Sequence, residues 1–274
     1  MINSLSSNVV IANIRIKRKY TNVFNNSDVK KAKNMNSVAV KKQEQKWPEL
    51  IVLVRHGQSK YNEERELINR GILKTYSKDI KSTRNSDIPL SPLGKKQAEK
   101  TAVFLKKTYG DFDLIFSSPF QRAYDTAKIL SKKFPKARFA VEERIREKEF
   151  GITDGLTPPE LLALFPYEHE RKQKEKKYYY RPIGGESYPD VNLRIWSFMT
   201  TIVREYSGKK ILIVSHSAVM LSFKKVLEKL SEKELLNIDK ENELKNCAII
   251  SYKFDLKMEP RPKMKLGFYN KIAY

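Results

Sequence analysis

The sequence predicts a three-layer α/β/α sandwich with a mostly parallel central sheet. Residues 50–54 and 211–214 are continuous runs of apolar, mostly branched side chains, which is typical of parallel strands that are covered on both faces. Residues 112–116 form a third, largely apolar run, and a helical pattern follows it from residue 120 to residue 133. The carboxyl ends of parallel strands meet at one edge of the sheet, where open α/β proteins bind their ligands.

The predicted helices complete the two outer layers. One helix begins after Ser91, and Thr157 with Glu160 forms the capping-box pattern that starts another. Apolar stripes at helical spacing begin at Val191 and at Met220. Each stripe needs a core to cover it, so we expect both helices to pack on the sheet.

The remaining segments predict a cap and an edge hairpin. Two insertions, residues 62–89 and 151–185, are rich in polar residues, and the first is mostly aperiodic. We expect them to fold over the ligand-binding edge of the sheet as a cap. Residues 248–254 and 263–272 predict two C-terminal strands at the edge of the sheet, joined by a loop that contains Pro260.

Two histidines and two arginines stand where the predicted strands end. Arg55 and His56 follow the first strand, His216 follows another, and Arg122 lies in the first turn of the helix after the third. Arginine presents a planar fork of donors that matches phosphate oxygens, and a neutral imidazole can attack phosphorus. The sequence therefore predicts a phosphate site at this edge, with a histidine placed to act as nucleophile.

Four segments in this order carry a resemblance to a known family. They are Arg55-His56-Gly57-Gln58-Ser59 with Asn62, Ser117-Ser118-Pro119-Phe120-Gln121-Arg122-Ala123, Glu147-Lys148-Glu149-Phe150-Gly151, and Val214-Ser215-His216. Together they resemble the histidine phosphatase superfamily, in its phosphoglycerate-mutase-like branch, over about residues 50–250. Ordered motifs in compatible local structure are far more specific than one tripeptide. The resemblance implies a phosphohistidine enzyme that needs neither metal nor cofactor.

The resemblance also implies roles for particular residues. His56 would be the phosphorylated nucleophile and Glu147 the proton donor to the leaving group, while the phosphate pocket would be formed by Arg55, Arg122, Asn62 and a protonated His216. Two of these roles have alternatives. Asn62 has a second interpretation as a cap of the following turn, and three other carboxylates lie near Glu147 in the sequence, namely Glu142, Glu143 and Glu149.

Candidate substrate contacts come from the second insertion. Residues 165–188 are similar to fructose-2,6-bisphosphatase and to plant and fungal phosphoglycerate-mutase-like phosphatases, and this resemblance makes Tyr188, Lys176 and Arg171 candidates for substrate binding. The chain departs from the sugar bisphosphatase after the second histidine. Ser217 and Leu221 stand where that enzyme has glutamine and arginine, which removes polar sugar contacts and leaves the specific substrate open.

Composition limits the location and the partners. No apolar stretch of the 274 residues approaches the ~20 needed to span a bilayer. Cys247 is the single cysteine, which excludes a disulfide framework and favours a reducing cytoplasm. The net charge is +22, and residues 1–47 contain ten Lys or Arg against two acids. We expect a basic, disordered extension there and a catalytic domain over residues 48–274; a later start at Met35 and a targeting peptide are alternatives.

These observations favour a cytoplasmic phosphomonoester hydrolase that acts on a small anionic substrate such as a sugar phosphate. A cofactor-dependent phosphoglycerate mutase is the alternative within the same fold, but mutases resemble one another in a longer insertion between the acid and the second histidine. A basic scaffold that binds RNA or protein is the alternative from another class. Residues 172–177 and the tyrosines after them cluster bases with aromatics. Self-association into a homo-oligomer is also open.

Overall fold

One mixed sheet organises the computed structural model, which describes residues 46–257 and 263–274. Within these ranges its strands are β1 (Leu50–Arg55), β2 (Leu114–Ser117), β3 (Arg138–Val141), β4 (Lys210–Ser215), β5 (Ile249–Asp255) and β6 (Lys263–Leu266), in the order β3-β2-β4-β1-β5-β6. The first four strands in this order pair in parallel, whereas β5 is antiparallel to β1 and β6 is antiparallel to β5. The prediction of a mostly parallel sheet is confirmed.

Helices cover both faces of this sheet. Alternate residues of a strand face opposite sides, so Leu212 and Val214 join the core beneath α3 and α4, while Ile211 and Ile213 join the core beneath α7 and α8. The predicted three-layer arrangement is confirmed. The described helices are α1 (Lys60–Asn69), α2 (Lys78–Ser82), α3 (Pro92–Tyr109), α4 (Gln121–Ser131), α5 (Pro158–Leu164), α6 (Pro166–Tyr179), α7 (Tyr188–Glu205), α8 (Ser217–Glu228) and α9 (Glu232–Glu241).

The register of β1 against β4 places the two histidines side by side. Arg55 lies opposite Ser215 at the ends of these parallel strands. His56 and His216 are the next residues along each strand, and the backbone N–H of His56 donates to the carbonyl of Ser215 at 2.9 Å. Both imidazoles therefore leave the sheet at the same edge.

The two insertions form the cap, but the first one is more regular than its sequence predicts. Residues of α1 and α6 line the same cavity as His56. The sequence of the first insertion is polar and mostly aperiodic, yet the structure has a helix there, α1, which begins in a capping box between Ser59 and Asn62. None of the α1 residues is fully buried, so this helix has no apolar stripe from which it could be predicted.

The C-terminal strands form the predicted edge hairpin. Tyr252 of β5 pairs with Leu266 of β6, and β6 is the last strand of the sheet. The second strand ends earlier than predicted, and the loop at Pro260 lies outside the described residues. The predicted extension also lies outside them except for Lys46 and Trp47, so nothing tests it or the alternative start at Met35. In the ranges described, no helix is long and apolar enough to cross a membrane.

Candidate active site

His56 is held as a neutral imidazole with a defined tautomer. It is 2% exposed, and its Nδ1 lies 2.7 Å from the carbonyl oxygen of Gly57. A carbonyl only accepts hydrogen bonds, so Nδ1 carries the proton and Nε2 keeps a lone pair. Burial, followed by the charges of Arg122 and Arg55, holds the pKa of His56 well below its usual range. The imidazole is therefore available as a nucleophile at neutral pH.

His216 faces His56, with 5.1 Å between the two ring centroids. Its Nε2 lies 2.8 Å from the hydroxyl of Ser118, and its Nδ1 has no hydrogen-bond partner among the described residues. Burial and then the charge of Arg122 hold the pKa of His216 well below its usual range. Two buried arginines repel a buried imidazolium, so the site without ligand favours a neutral His216; a protonated His216 with a bound phosphoryl group stays a prediction.

Two buried arginines supply the positive charge of the site. Arg55 is 6% exposed and Arg122 is 5% exposed. Nη1 of Arg55 donates to the carbonyl of Leu244 at 2.5 Å, and Nη1 of Arg122 donates to the carbonyl of Asn85 at 2.6 Å. Burial lowers the pKa of Arg55 to about 10, so it stays charged at neutral pH. Its Nε has no partner in the described ranges and remains free to bind an anion.

Glu147 has the environment of a proton donor. Its side chain is 12% exposed, and its Oε2 lies 3.5 Å from Nδ1 of His216. Its Oε1 accepts the backbone N–H of Lys148 at 2.9 Å. Burial raises the pKa of the Glu147 carboxyl, although the charge of Arg122 opposes this. A carboxyl whose pKa is raised in this way keeps its proton closer to neutral pH and can act as a general acid.

The carboxylates near Glu147 are used elsewhere. Glu142 forms an ion pair with Arg144 at 2.8 Å, and Glu149 forms one with Arg146 at 3.3 Å with 44% of its side chain exposed. Glu143 is exposed in a short 3₁₀ turn. Among these acids, the described cavity lining includes Glu147 alone.

Asn62 combines the two interpretations of its sequence position. Its Oδ1 accepts the backbone N–H of Ser59 at 3.2 Å, which caps α1, and also the side-chain amide of Asn246 at 3.0 Å. Asn62 nevertheless lines the cavity beside His56. Because its oxygen is occupied by these donors, its amide nitrogen is the group left for a ligand.

Gly57 lets the backbone next to His56 pass close to the backbone of α3. A Cβ at this position would lie 2.4 Å from the carbonyl oxygen of Gly94, near the start of α3. A Cβ at Gly94 would in turn lie 2.0 Å from the carbonyl oxygen of Gln58. Both glycines are needed for this close approach of two backbones, which fixes the position of His56.

A cavity of about 600 Å³ opens above these groups, and its lining includes more cations than carboxylates. Two of them are paired across the cavity wall: Arg65 with Glu243 at 2.6 Å, and Lys177 with Asp239. Other cations that line it have no ion-pair partner among the described side chains, namely Arg55, Arg122, Lys148, Lys172 and Lys176. Arg55, Arg122 and Lys148 are buried, whereas Lys172 and Lys176 are exposed. Unpaired positive charge that is concentrated around a cavity favours an anionic ligand.

The cap brings two of the three predicted substrate contacts to the cavity wall, but not the third. Tyr188 is buried in the cavity wall and stacks on Tyr178 with 6.0 Å between ring centroids. Lys176 also lines the cavity, and its φ of 62° interrupts the regular course of α6. Arg171 is not part of the described lining; its guanidinium binds Glu168 at 2.7 Å and Glu175 at 3.1 Å. The structure therefore does not bring Arg171 into the described cavity lining, and these ion pairs hold its side chain elsewhere.

Sequence reasoning missed other residues of the cavity wall. Lys148 is 8% exposed and lies 5.3 Å from the ring of Phe150, and burial lowers its pKa. Lys172 is the neighbour of Arg171 but points into the cavity. Lys148 could have been predicted as a cavity residue from its position directly after Glu147 in the sequence. In the part of the chain that the structure describes, no group of His, Cys, Asp and Glu could hold a metal ion.

Comparison with known proteins adds a family match and several relatives. A profile described as histidine phosphatase superfamily (branch 1) matches residues 51–257. A bifunctional protein of Mycobacterium tuberculosis is 31% identical over 169 residues, which are 62% of this chain and 41% of that protein. The chain thus spans about two fifths of the length of this relative. A 2,3-bisphosphoglycerate-dependent phosphoglycerate mutase of Allorhizobium ampelinum is 28% identical, covering 69% of this chain and 84% of the mutase.

Phosphatases are also among the similar proteins. Fructose-2,6-bisphosphatase of Saccharomyces cerevisiae is 29% identical over 63% of this chain and 33% of that enzyme. Among solved structures, a mycobacterial glucosyl-3-phosphoglycerate phosphatase in complex with VO3 is 25% identical and has a TM-score of 0.60, covering 81% of this chain and 99% of that one.

Proposed function

The chain belongs to the histidine phosphatase superfamily (branch 1), and on that premise we propose that it hydrolyses phosphomonoesters through a phosphohistidine on His56. One observation carries the proposal: the hydrogen bond from Nδ1 of His56 to the Gly57 carbonyl leaves Nε2 unprotonated in a site that contains Arg55 and Arg122. A nucleophile that is neutral beside two fixed cations can approach a phosphoryl dianion without charge repulsion.

The first half-reaction transfers the phosphoryl group to the protein. Nε2 of His56 forms a bond to phosphorus as the ester P–O bond breaks, and the carboxyl of Glu147 gives its proton to the departing alcohol oxygen. The Nε–H of Arg55, which has no partner among the described residues, is placed to donate to an equatorial oxygen. Nδ1 of His216 can do the same when the Ser118 hydroxyl donates to Nε2, because the ring proton is then on Nδ1. Each charge-assisted hydrogen bond of the arginine contributes roughly 1.5–3 kcal/mol.

The second half-reaction restores the enzyme. A water molecule attacks the phosphorus of phosphohistidine, the P–N bond breaks, and the carboxylate of Glu147 takes the proton of that water. Orthophosphate leaves, His56 is neutral again, and Glu147 is protonated for the next cycle. The same carboxyl thus serves as acid and then as base, which suits a group whose pKa is raised by burial.

The substrate class follows from the charge of the cavity wall. We propose a small phosphorylated metabolite, such as a sugar phosphate, that has a second anionic group. Lys148, Lys172 and Lys176 line the cavity without ion-pair partners among the described side chains, and they add to the two arginines at the phosphoryl site. A volume of about 600 Å³ exceeds what one phosphate needs and suits a ligand of this size.

The position of these lysines in the cavity wall also affects the choice between the candidate functions. The lysine run that suggested RNA binding turns Lys172, Lys176 and Lys177 toward the cavity, which supports a role with substrate; binding of RNA remains an untested prediction. A mutase is the second candidate because a mutase is among the relatives. We favour hydrolysis because the insertion before His216 is shorter than the one in which mutases resemble one another.

We also propose a cytoplasmic location, because the only cysteine of the chain, Cys247, is buried and forms no disulfide.

A trapping experiment tests the proposal. Brief incubation with a phosphomonoester labelled in its phosphoryl group, followed by quenching in base, should leave label on His56 that is stable in base and released by acid. His56→Ala should abolish this label, whereas His169→Ala, which changes a histidine outside the cavity lining, should not. Label that persists in His56→Ala would exclude this nucleophile. Transfer between the positions of phosphoglycerate that outpaces phosphate release would assign a mutase instead.

A further inference from the structure

The helix α7 has apolar residues on two opposite faces. Its inner face packs in the core through Val191, Ile195, Phe198 and Ile202. Its outer face carries Leu193, which is 70% exposed, Trp196, which is 62% exposed, and the partly buried Val203. The spacings of three and seven residues place these three side chains on one side of a helix. The outer face of a helix on a protein surface is normally polar, so this second stripe needs a separate explanation.

Two residues of this stripe, Trp196 and Val203, line a groove of about 810 Å³. Trp196 and Val203 of α7 form one wall, Val226 and Leu227 of α8 another, and Trp47 and Met264 complete the apolar surface. The groove shares no lining residue with the cavity above His56. Its function is therefore separate from phosphoryl transfer.

The rim of the groove is positively charged. Lys46, Arg204, Lys229 and Lys263 surround the apolar surface. Arg204 is paired with Glu205 at 2.6 Å, so the lysines carry the free charge. The one acid in the described lining is Glu228, and its carboxylate already accepts Nζ of Lys224 at 2.8 Å and the hydroxyl of Tyr252 at 2.6 Å.

We propose that this groove binds an acidic amphipathic helix of a partner protein. An amphipathic helix buries its apolar side in a groove of this kind, and acidic residues beside that apolar side would meet the three lysines of the rim. A second copy of the chain would bring the same cations to the contact, where they would repel. A membrane is flat, whereas this apolar surface is concave. The sequence of residues 1–45 is basic, so it does not offer the acidic chemistry.

The two tryptophans provide a direct measurement, because Trp47 and Trp196 are the only tryptophans of the chain and both line the groove. The probe is a synthetic 18-residue helical peptide with leucine at positions i, i+3, i+4 and i+7, glutamate at the positions that flank this apolar side, and alanine elsewhere. Titration into the full-length protein should shift the tryptophan emission to shorter wavelength and reach saturation. A peptide of the same leucine pattern with lysine in place of glutamate should bind at least ten-fold more weakly.

Variants locate the binding. Trp196→Ala, read through Trp47, should weaken binding about ten-fold or more, because exposed tryptophans at the centre of such contacts carry much of the affinity. Ile72→Ala removes a side chain of similar exposure, 57%, on another surface, and it should change nothing. Lys263→Glu should weaken binding several-fold, whereas Lys95→Glu on α3, across the sheet, should not. None of these four substitutions should change kcat for an aryl phosphate.

Four results would overturn the proposal. Equal binding of both peptides would remove the charge argument. An emission shift with phosphatidylserine vesicles but not with the acidic peptide would assign the surface to a membrane. A dimer in sedimentation experiments that Trp196→Ala dissociates would assign it to a second copy. A shift to longer wavelength on deletion of residues 1–45, without any added probe, would assign it to the chain's own segment.

Discussion

Glu147, which lines the cavity, faces the fully buried His216, with Oε2 of the glutamate 3.5 Å from Nδ1 of the histidine. Their pKa values move in opposite directions: burial raises that of the carboxyl and lowers that of the imidazole. Both shifts favour the uncharged forms, a protonated carboxyl beside a neutral ring. Burial thus favours retention of a proton on Glu147, which is the form that the proposed proton transfer requires, while the arginines carry the positive charge.

The first prediction concerns this proton. Glu147→Gln removes the acid but keeps the size of the side chain, so formation of the phosphoenzyme from sugar phosphates should slow by about 10²–10⁴-fold. An aryl phosphate should be affected much less, since its phenolate leaves without a proton. Rapid-quench measurement of phosphoenzyme with both substrates gives the comparison.

Glu149→Gln is the matched control, because that carboxylate pairs with Arg146 and lies outside the described cavity lining. It should leave both rates nearly unchanged. An equal loss with the two substrates in Glu147→Gln would mean that Glu147 only supports the site. A loss in Glu149→Gln that appears solely with sugar phosphates would transfer the acid role to that residue.

The second prediction follows from the two buried histidines. Their pKa values in the folded protein lie well below the usual 6.5, so below pH 6.5 the unfolded chain binds protons that the folded chain does not. Folding stability is therefore fully present above this pH and decreases as the pH falls. Each histidine should cost about 1 kcal/mol of unfolding free energy between pH 6.5 and pH 5.5.

Denaturant unfolding in phosphate-free buffer at several pH values measures this effect. His56→Ala and His216→Ala should each make the dependence on pH shallower in that window, whatever they do to stability at pH 8. If His56→Ala and His216→Ala both kept the pH dependence of the parent protein, the two imidazoles would bind protons as readily in the folded protein as in the unfolded chain.

How far the sequence predicts this site depends on the kind of signal each residue has. His56 and His216 follow uninterrupted apolar runs, which predict buried strands and therefore the edge where the rings meet. The strand β3 was missed because its four residues are exposed or only partly buried, so it has no apolar run. The helix α1 was missed for the same physical reason.

The cap residues show a different limit, since neighbours on a helix point about 100° apart. Arg171 faces Glu168 and Glu175, three residues before it and four after it, and forms ion pairs along the helix surface. Lys172 and Lys176 are four residues apart on the next face and line the cavity. A basic run alone cannot tell these faces apart, because either set of cations could face the ligand.

The third prediction concerns the contact between two backbones. Gly57→Ala would place a Cβ 2.4 Å from the Gly94 carbonyl oxygen, and relief of that clash should cost about 1–3 kcal/mol of unfolding free energy. Because the displaced backbone carries His56, kcat/KM should fall more than the loss of folded protein explains. Gly208→Ala is the control: Gly208 has a φ of +69°, which disfavours alanine, but a Cβ built there would have no atom within 4 Å. It should lose stability and keep kcat/KM.

The last prediction tests the second anionic group of the substrate. The double variant Lys172→Gln, Lys176→Gln removes two cations that line the cavity, and KM for a phosphorylated metabolite with a second phosphate or carboxylate should rise about ten-fold or more. For p-nitrophenyl phosphate, which has no second anionic group, KM should change less than two-fold. Lys174→Gln changes an exposed lysine of the same helix outside the described lining and serves as the control.

Added salt should raise the KM of the parent protein for the substrate with a second anionic group, and should raise that of the double variant much less, because salt screens the two charges that the variant lacks. An equal rise in KM for both substrates would mean that these lysines attract any anion toward the site and do not recognise a second group.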